Sequence, residues 1–123
     1  MFQEYKSSGK HMICDFKNID NSELLNNMTE LKFIMSEICK VNDFTILNEI
    51  EHQFSPIGCS FVFLLSESHL SVHTFPEKKH ISFDIYTCRQ YDNNDVYNEI
   101  FNVLIDKLQA SLDSTCRIMD RYF

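Results

Sequence analysis

Apolar residues alternate with polar ones in some stretches of this chain and step by three and four in others. The pattern predicts strands interleaved with helices. Lys10 to Phe16 reads as a first strand. Asp20 followed by Glu23 has the form of a helix cap with an acid three positions on. Leu24, Met28, Leu31, Met35 and Ile38 then make the apolar stripe of an amphipathic helix ending near Val41-Asn42-Asp43. Phe44, Ile46, Ile50 and Phe54 alternate with mostly polar neighbours, as in a strand with one wet face. Ser55-Pro56-Ile57-Gly58 reads as a turn and Cys59 to Leu65 as a buried strand. From His69 to Phe75, Leu70, Val72 and Thr74 face one way and His69, Ser71, His73 and Phe75 the other. After a turn at Pro76 to Lys79, Ile81, Phe83 and Ile85 alternate with Ser82, Asp84, Tyr86 and Cys88. Asp92 to Asp95 open a second helix with a stripe of Val96, Ile100, Val103 and Leu104, flanked by Phe101 and Leu108. Ser111 to Phe123 reads as an extended end.

The turns between neighbouring strands are too short for crossovers, so those strands pair antiparallel. The expected fold is α+β, a two-layer sandwich of a mainly antiparallel sheet with two helices on one face. The opposite face carries the His-rich alternation and is expected to be polar or to cover a partner. One domain over residues 1–123 accounts for the length.

Composition narrows the function classes. Apolar residues make up 44%, enough for a core. A net charge of −7 argues against nucleic acid, whose phosphates need clustered Lys and Arg. The longest apolar run, Phe61 to Leu65, is far too short to span a bilayer, and Met1 to His11 has no apolar signal core. Five Cys without a CxxC pair fit free thiols in a reducing cytoplasm. With Phe at 11 and Gly at only 2, each glycine should have a backbone reason.

Ser66 to Glu77 concentrates hydroxyls, two His and two acids at a strand-to-strand junction. On spacing alone this is a solvated hairpin. A metal held by His69, His73 and a Cys lacks any standard zinc spacing, so no metal is expected. A Ser-His hydrolase lacks the Gly-x-Ser-x-Gly elbow. Taken singly, His73 reads as a surface or core His, Cys88 as an inert thiol, Phe54 as a core aromatic and Glu77 as a turn acid. Cys14, Cys39, Cys59 and Cys116 read as inert buried thiols.

Several separated motifs change that balance: GKHMICD, QFSPIGCS, SESHLSVHTFPE and DIYTC, in this order. Together they resemble the S-adenosylmethionine decarboxylase proenzyme family in its short prokaryotic form. The motifs run from Gly9 to Cys88; beyond that the chain is similar in pattern only. The resemblance implies self-cleavage between Glu67 and Ser68, giving fragments 1–67 and 68–123. It implies that Ser68 becomes a covalent pyruvoyl cofactor that forms a Schiff base with the substrate amine. His73 is then the processing base, Ser60 the second processing residue and Cys88 the proton donor to the product carbon. Phe54 and Phe75, the latter where the family more often has Trp, and Glu77 would bind the nucleoside, Phe54 by stacking on adenine and Glu77 by accepting from the ribose hydroxyls.

The family site lies between protomers of a homodimer. One chain would supply Ser68 and Cys88, its mate Ser60, His73, Phe54 and Glu77. The implied reaction is decarboxylation of S-adenosylmethionine for spermidine and other polyamines, with ornithine or arginine as the alternative substrate and an unprocessed, non-catalytic homologue as the third reading. Two departures stand out. Arg89 follows Cys88 where the family has Gly, and Phe61 follows Ser60 where a small residue is usual. Arg89 is expected to alter the carboxylate end of the pocket and Phe61 to crowd the processing junction.

Overall fold

Residues 6–66 and 68–123 are described by the structure, a computed structural model. Its strands are β1 (Ser7–Phe16), β2 (Ile46–Gln53), β3 (Cys59–Leu65), β4 (Ser68–Phe75), β5 (His80–Thr87) and β6 (Thr115–Tyr122). They form one sheet in the order β2-β3-β4-β5-β1-β6, with every neighbouring pair antiparallel. Helices α1 (Ser22–Leu25), α2 (Met28–Val41) and α3 (Asp95–Leu108) share one core with the sheet face made by Met12, Cys14, Phe63, Leu70, Val72, Phe83 and Ile85. This is the expected α+β two-layer sandwich. No helix among the described residues is long and apolar enough to cross a membrane.

The alternation predicted for β4 and β5 is observed. Leu70, Val72 and Thr74 are buried under the helices, and Ser71, His73 and Phe75 stand on the open face. Three elements differ from expectation for local reasons. The first helix is interrupted after one turn, because Asn26 and Asn27 both serve other bonds. Asn27 Oδ1 accepts from Glu30 N (3.0 Å) and so caps α2. Asn26 Oδ1 accepts from Gln53 Nε2 (2.9 Å) and Gly58 N (2.8 Å), tying the helical layer to the β2–β3 turn. The cap of α1 is Asn21 rather than Asp20, which pairs with Lys79 instead.

Strand β2 was expected to have one wet face and has two. It is an edge strand, and the side turned toward α2 carries Glu49 and Glu51, both bonded to Lys32. In α3 the buried row is Tyr97, Ile100, Leu104 and Leu108, with Val96 and Val103 at its margin. Tyr97 can be buried because its hydroxyl meets Thr87 Oγ1 at 3.0 Å.

Both glycines have positive φ, +119° at Gly9 and +101° at Gly58. A Cβ on Gly58 would meet its nearest neighbour at 3.5 Å, ordinary contact, whereas one on Gly9 would lie 1.9 Å from Thr87 O and 2.6 Å from Cys88 Cα. Gly9 therefore lets β1 close onto the peptide that carries Cys88. Gly58→Ala should cost only its backbone strain, about 1–3 kcal/mol. Gly9→Ala adds overlap with main-chain atoms that cannot rotate away, and should lower the chemical-denaturation midpoint further than Gly58→Ala. Equal midpoints for the two variants would remove that close approach as a constraint.

Candidate active site

Strand β4 carries site residues at both ends. Ser68 opens it, paired with Leu65 on β3 and Thr87 on β5. Since both partners are buried, the Ser68 side chain lies on the helix-covered side, at the sheet's end. Its Oγ is buried and has no hydrogen-bond partner among the described residues. Leaving a buried hydroxyl unsatisfied costs about 1–3 kcal/mol. Cys88 follows Thr87 directly, so it sits at the same end of the sheet as Ser68, and it is exposed. Glu67, the predicted donor of the scissile carbonyl, lies outside the described residues.

Five residues along β4, His73 pairs with Ser60 of β3 in direct register. Ser60 Oγ and His73 Nδ1 are 2.7 Å apart. They line a cavity of about 320 Å³ together with Phe54, Phe75, Glu77 and the β2–β3 turn. This volume falls within the range of small-ligand sites. The structure thus brings together Ser60, His73, Phe54, Phe75 and Glu77. It does not bring Ser68 and Cys88 to them within one chain: at 3.3 Å per residue, five steps of β4 are about 16 Å.

The order of the elements explains the cavity. Phe54 leaves β2 at the turn containing the cis Ser55–Pro56 bond, and Phe54 N donates to Gly58 O at 2.8 Å. Asn26 holds the same turn from the helical side. Glu77 lies in the short 3-10 turn Pro76–Lys78 that follows β4. An aromatic ring, an acid, a hydroxyl and an imidazole converge there from two neighbouring turns and two neighbouring strands.

Cys88 is set in place by three further contacts. Gly9 admits the Thr87–Cys88 peptide, and the Thr87–Tyr97 bond fixes the residue before the thiol. Arg89, after it, donates Nη1 to Asn42 O (2.6 Å) and Nη2 to Asp43 O, with its guanidinium 4.7 Å from the Phe44 ring centre. These bonds anchor the Cys88 segment to the end of α2. Phe61, expected to crowd the processing junction, is buried in the core on the face opposite Ser60.

Sequence reasoning singled out neither His11 nor Asp84 as a site residue, and it grouped His69 with His73. In the fold, His69 and His73 have different partners. Asp84 Oδ2 accepts from His11 Nε2 (2.6 Å) and His69 Nε2 (2.8 Å), and its Oδ1 accepts from Ser71. Arg121 has no acceptor and can only donate to His11 Nδ1 (3.3 Å), which puts the His11 proton on Nε2, aimed at Asp84. Burial pushes the Asp84 carboxyl up, but the bonds from Ser71, His11 and His69 outweigh it and hold the group below its ordinary value. Among the described residues, His11, His69 and Asp84 are grouped closely enough to be weighed as metal ligands. Both imidazoles stand at hydrogen-bond length from the Asp84 carboxylate, so the contacts present are hydrogen bonds. The only sequence signal for this cluster was the position of His11, His69, Asp84 and the bonded Ser71 on the polar phase of their strands.

The described geometry can be set beside known proteins. The S-adenosylmethionine decarboxylase family model matches residues 10–121. An S-adenosylmethionine decarboxylase proenzyme of Fervidobacterium nodosum is 40% identical over 83 residues, covering 68% of this chain and 60% of that protein. This chain's match therefore spans less than two thirds of that relative. The proenzyme of Thermoplasma acidophilum is 37% identical over 111 residues, 90% of this chain and 82% of that protein. The crystal structure of the adenosylmethionine decarboxylase from Aquifex aeolicus has the same fold, with a TM-score of 0.80 over 96% of this chain and 93% of that one at 24% identity. With a family match running from β1 to β6 and a relative sharing more than a third of its residues over most of both lengths, the chain belongs to the S-adenosylmethionine decarboxylase family.

Proposed function

We propose that this protein is a self-processing, pyruvoyl-dependent decarboxylase that converts S-adenosylmethionine to S-adenosylmethioninamine and carbon dioxide, as a homodimer, in the cytoplasm, for polyamine synthesis. The observation that carries the reading is the cavity in which Phe54, Ser60, His73, Phe75 and Glu77 converge. An aromatic face suits adenine, and a carboxylate beside it suits vicinal ribose hydroxyls. Those two features favour a nucleoside over ornithine or arginine, which offer neither a ring nor a diol.

Processing starts at the Glu67–Ser68 bond. Ser68 Oγ attacks the Glu67 carbonyl and displaces the Ser68 nitrogen, converting the amide to an ester. A base then removes the Ser68 α-hydrogen, the ester leaves as the carboxylate of residue 67, and water replaces the nitrogen as ammonia. Ser68 Oγ, without a hydrogen-bond partner among the described residues, fits this fate, because the elimination carries that oxygen away in the carboxylate of residue 67 and leaves a methyl group in its place. A pyruvoyl carbonyl, once formed, supplies the electrophile for the substrate amine and the electron sink for loss of carbon dioxide.

The chain's own residues do the rest. His73, bonded to Ser60, is the base that takes the Ser68 α-hydrogen. Phe54 and Phe75 hold the adenine, and Glu77 orients the ribose. Cys88 returns a proton from its thiol to the substrate carbon. Since His73 stands about 16 Å from Ser68 along its own strand, these groups act on Ser68 and Cys88 of a second copy. A two-fold dimer then holds two equivalent sites, each built from both chains.

Cleavage need not dissociate the chain. In the sheet order, β2 and β3 belong to fragment 1–67, β4 and β5 to fragment 68–123, β1 to the first again and β6 to the second. The fragments interleave, so each is held by the other's strands.

Three measurements test the reading. Intact mass of purified protein should show two fragments, the second lighter than a serine-started chain by one ammonia. Ser68→Ala should give a single uncut chain without carbon dioxide release from S-adenosylmethionine; cleavage in that variant would place the scissile bond elsewhere. Cys88→Ala and Glu77→Ala should each be nearly inactive alone, yet when the two are co-expressed, mixed dimers regain one intact site of two, about a quarter of wild-type activity for random pairing. No recovery on co-expression would mean that each site is built within one chain.

A further inference from the structure

Two thiols that the proposed chemistry does not use face each other across the sheet. Cys14 on β1 and Cys116 on β6 are directly opposed in antiparallel register, flanked by the pairs Ile13–Arg117 and Asp15–Thr115. Directly opposed residues share a face, and both pack against the core under the helical layer. Their Cα atoms are about 4.5–5.5 Å apart in such a pair, within the roughly 4.4–6.8 Å that a disulfide spans. Cys14 is fully buried and Cys116 partly exposed, so one thiol of the pair is open to a reagent and the other is reached only through it.

We propose that Cys14 and Cys116 form a reversible dithiol–disulfide pair that, in the cleaved protein, covalently ties fragment 1–67 to fragment 68–123. The thiol pairing stands on the register alone; the tie between fragments also rests on the cleavage proposed above. Cys14 lies in the first fragment and Cys116 in the second. Self-cleavage would remove the peptide link between β3 and β4, and this bond would restore a link on the far side of the sheet.

The oxidant required is a low-molecular-weight disulfide. The Cys116 thiolate attacks one of its sulfurs, forming a mixed disulfide and releasing one small thiolate. The Cys14 thiolate then attacks the Cys116 sulfur and releases the second. Two protein thiols are oxidised, one small disulfide is reduced to two thiols, and the two protein protons pass to the released thiolates. The hydrogen bond from the Cys14 thiol holds Cys116 below the ordinary thiol value against the opposing effect of burial. That same bond, with burial added, holds Cys14 well above it. Cys116 is therefore the attacking thiol. Cys88 is not a competitor: it lies five residues along β5 from Phe83, the β5 partner of Cys14, or about 16 Å.

The test equilibrates purified protein with glutathione disulfide, quenches by alkylation and compares denaturing electrophoresis with and without reductant. The expected result is one band without reductant and two with it. Three thiols should remain of the original five, and a tryptic pair should join the peptide 11–17 to the peptide 108–117. Cys116→Ser should separate the fragments in both lanes. Separate fragments for the wild type without reductant, or a joined pair containing Cys88, would overturn the proposal. If the chain runs as one band in both lanes, the cleavage reading fails; the thiol pairing still stands if the joined tryptic pair is found and fails if it is absent.

Discussion

Hydrogen bonding of β4 to β3 on one side and to β5 on the other is the constraint from which the site follows. A strand held on both edges cannot bend to bring its ends together. Its side-chain alternation is also fixed, because Leu70 and Val72 are committed to the core. The register that buries them puts His73 opposite Ser60 and Ser68 opposite Thr87. A one-residue slip would turn Leu70 and Val72 to the open face and break both pairings at once. Core burial and site geometry are one requirement here.

The end of β5 shows how much structure surrounds a single thiol. Gly9 must lack a side chain, Tyr97 must reach Thr87 from α3, and Arg89 must reach the carbonyls that end α2. The last of these replaces a glycine that the family resemblance leads one to expect. A guanidinium donating to two carbonyls at a helix C-terminus meets the negative end of the helix dipole. Arg89 therefore ties the loop to the helical layer and leaves the open sheet face to other residues.

That face is held by charge and hydrogen bonds. Asp84 receives three donors, two of them imidazoles, and its partly buried carboxylate is stabilised by them. Next to this polar centre, Ile50 and Leu64 stand exposed near the β2 edge.

Much of this was legible in the sequence, and for definite reasons. Period-two alternation with turns too short for crossovers determined the antiparallel sheet, the faces of β4 and β5, and hence which of Ser71, His73 and Phe75 could meet a ligand. Motif spacing then pointed to Ser60, Ser68, His73, Glu77 and Cys88. Sequence could not reveal the role of Asn26 in interrupting the first helix, because its partners Gln53 and Gly58 lie across a turn some thirty residues away, whereas Asn27 caps α2 through Glu30 close by in the chain. Nor could it reveal the burial of Tyr97, which depends on a hydroxyl from another strand. The adjacency of strands distant in sequence was decided only by the tertiary structure: inserting β1 between β5 and β6 brought His11 to Asp84 and Cys14 to Cys116. Local patterning sets which face a side chain takes, but strand order decides what it meets there, since pairing between distant strands leaves no periodic trace in either one.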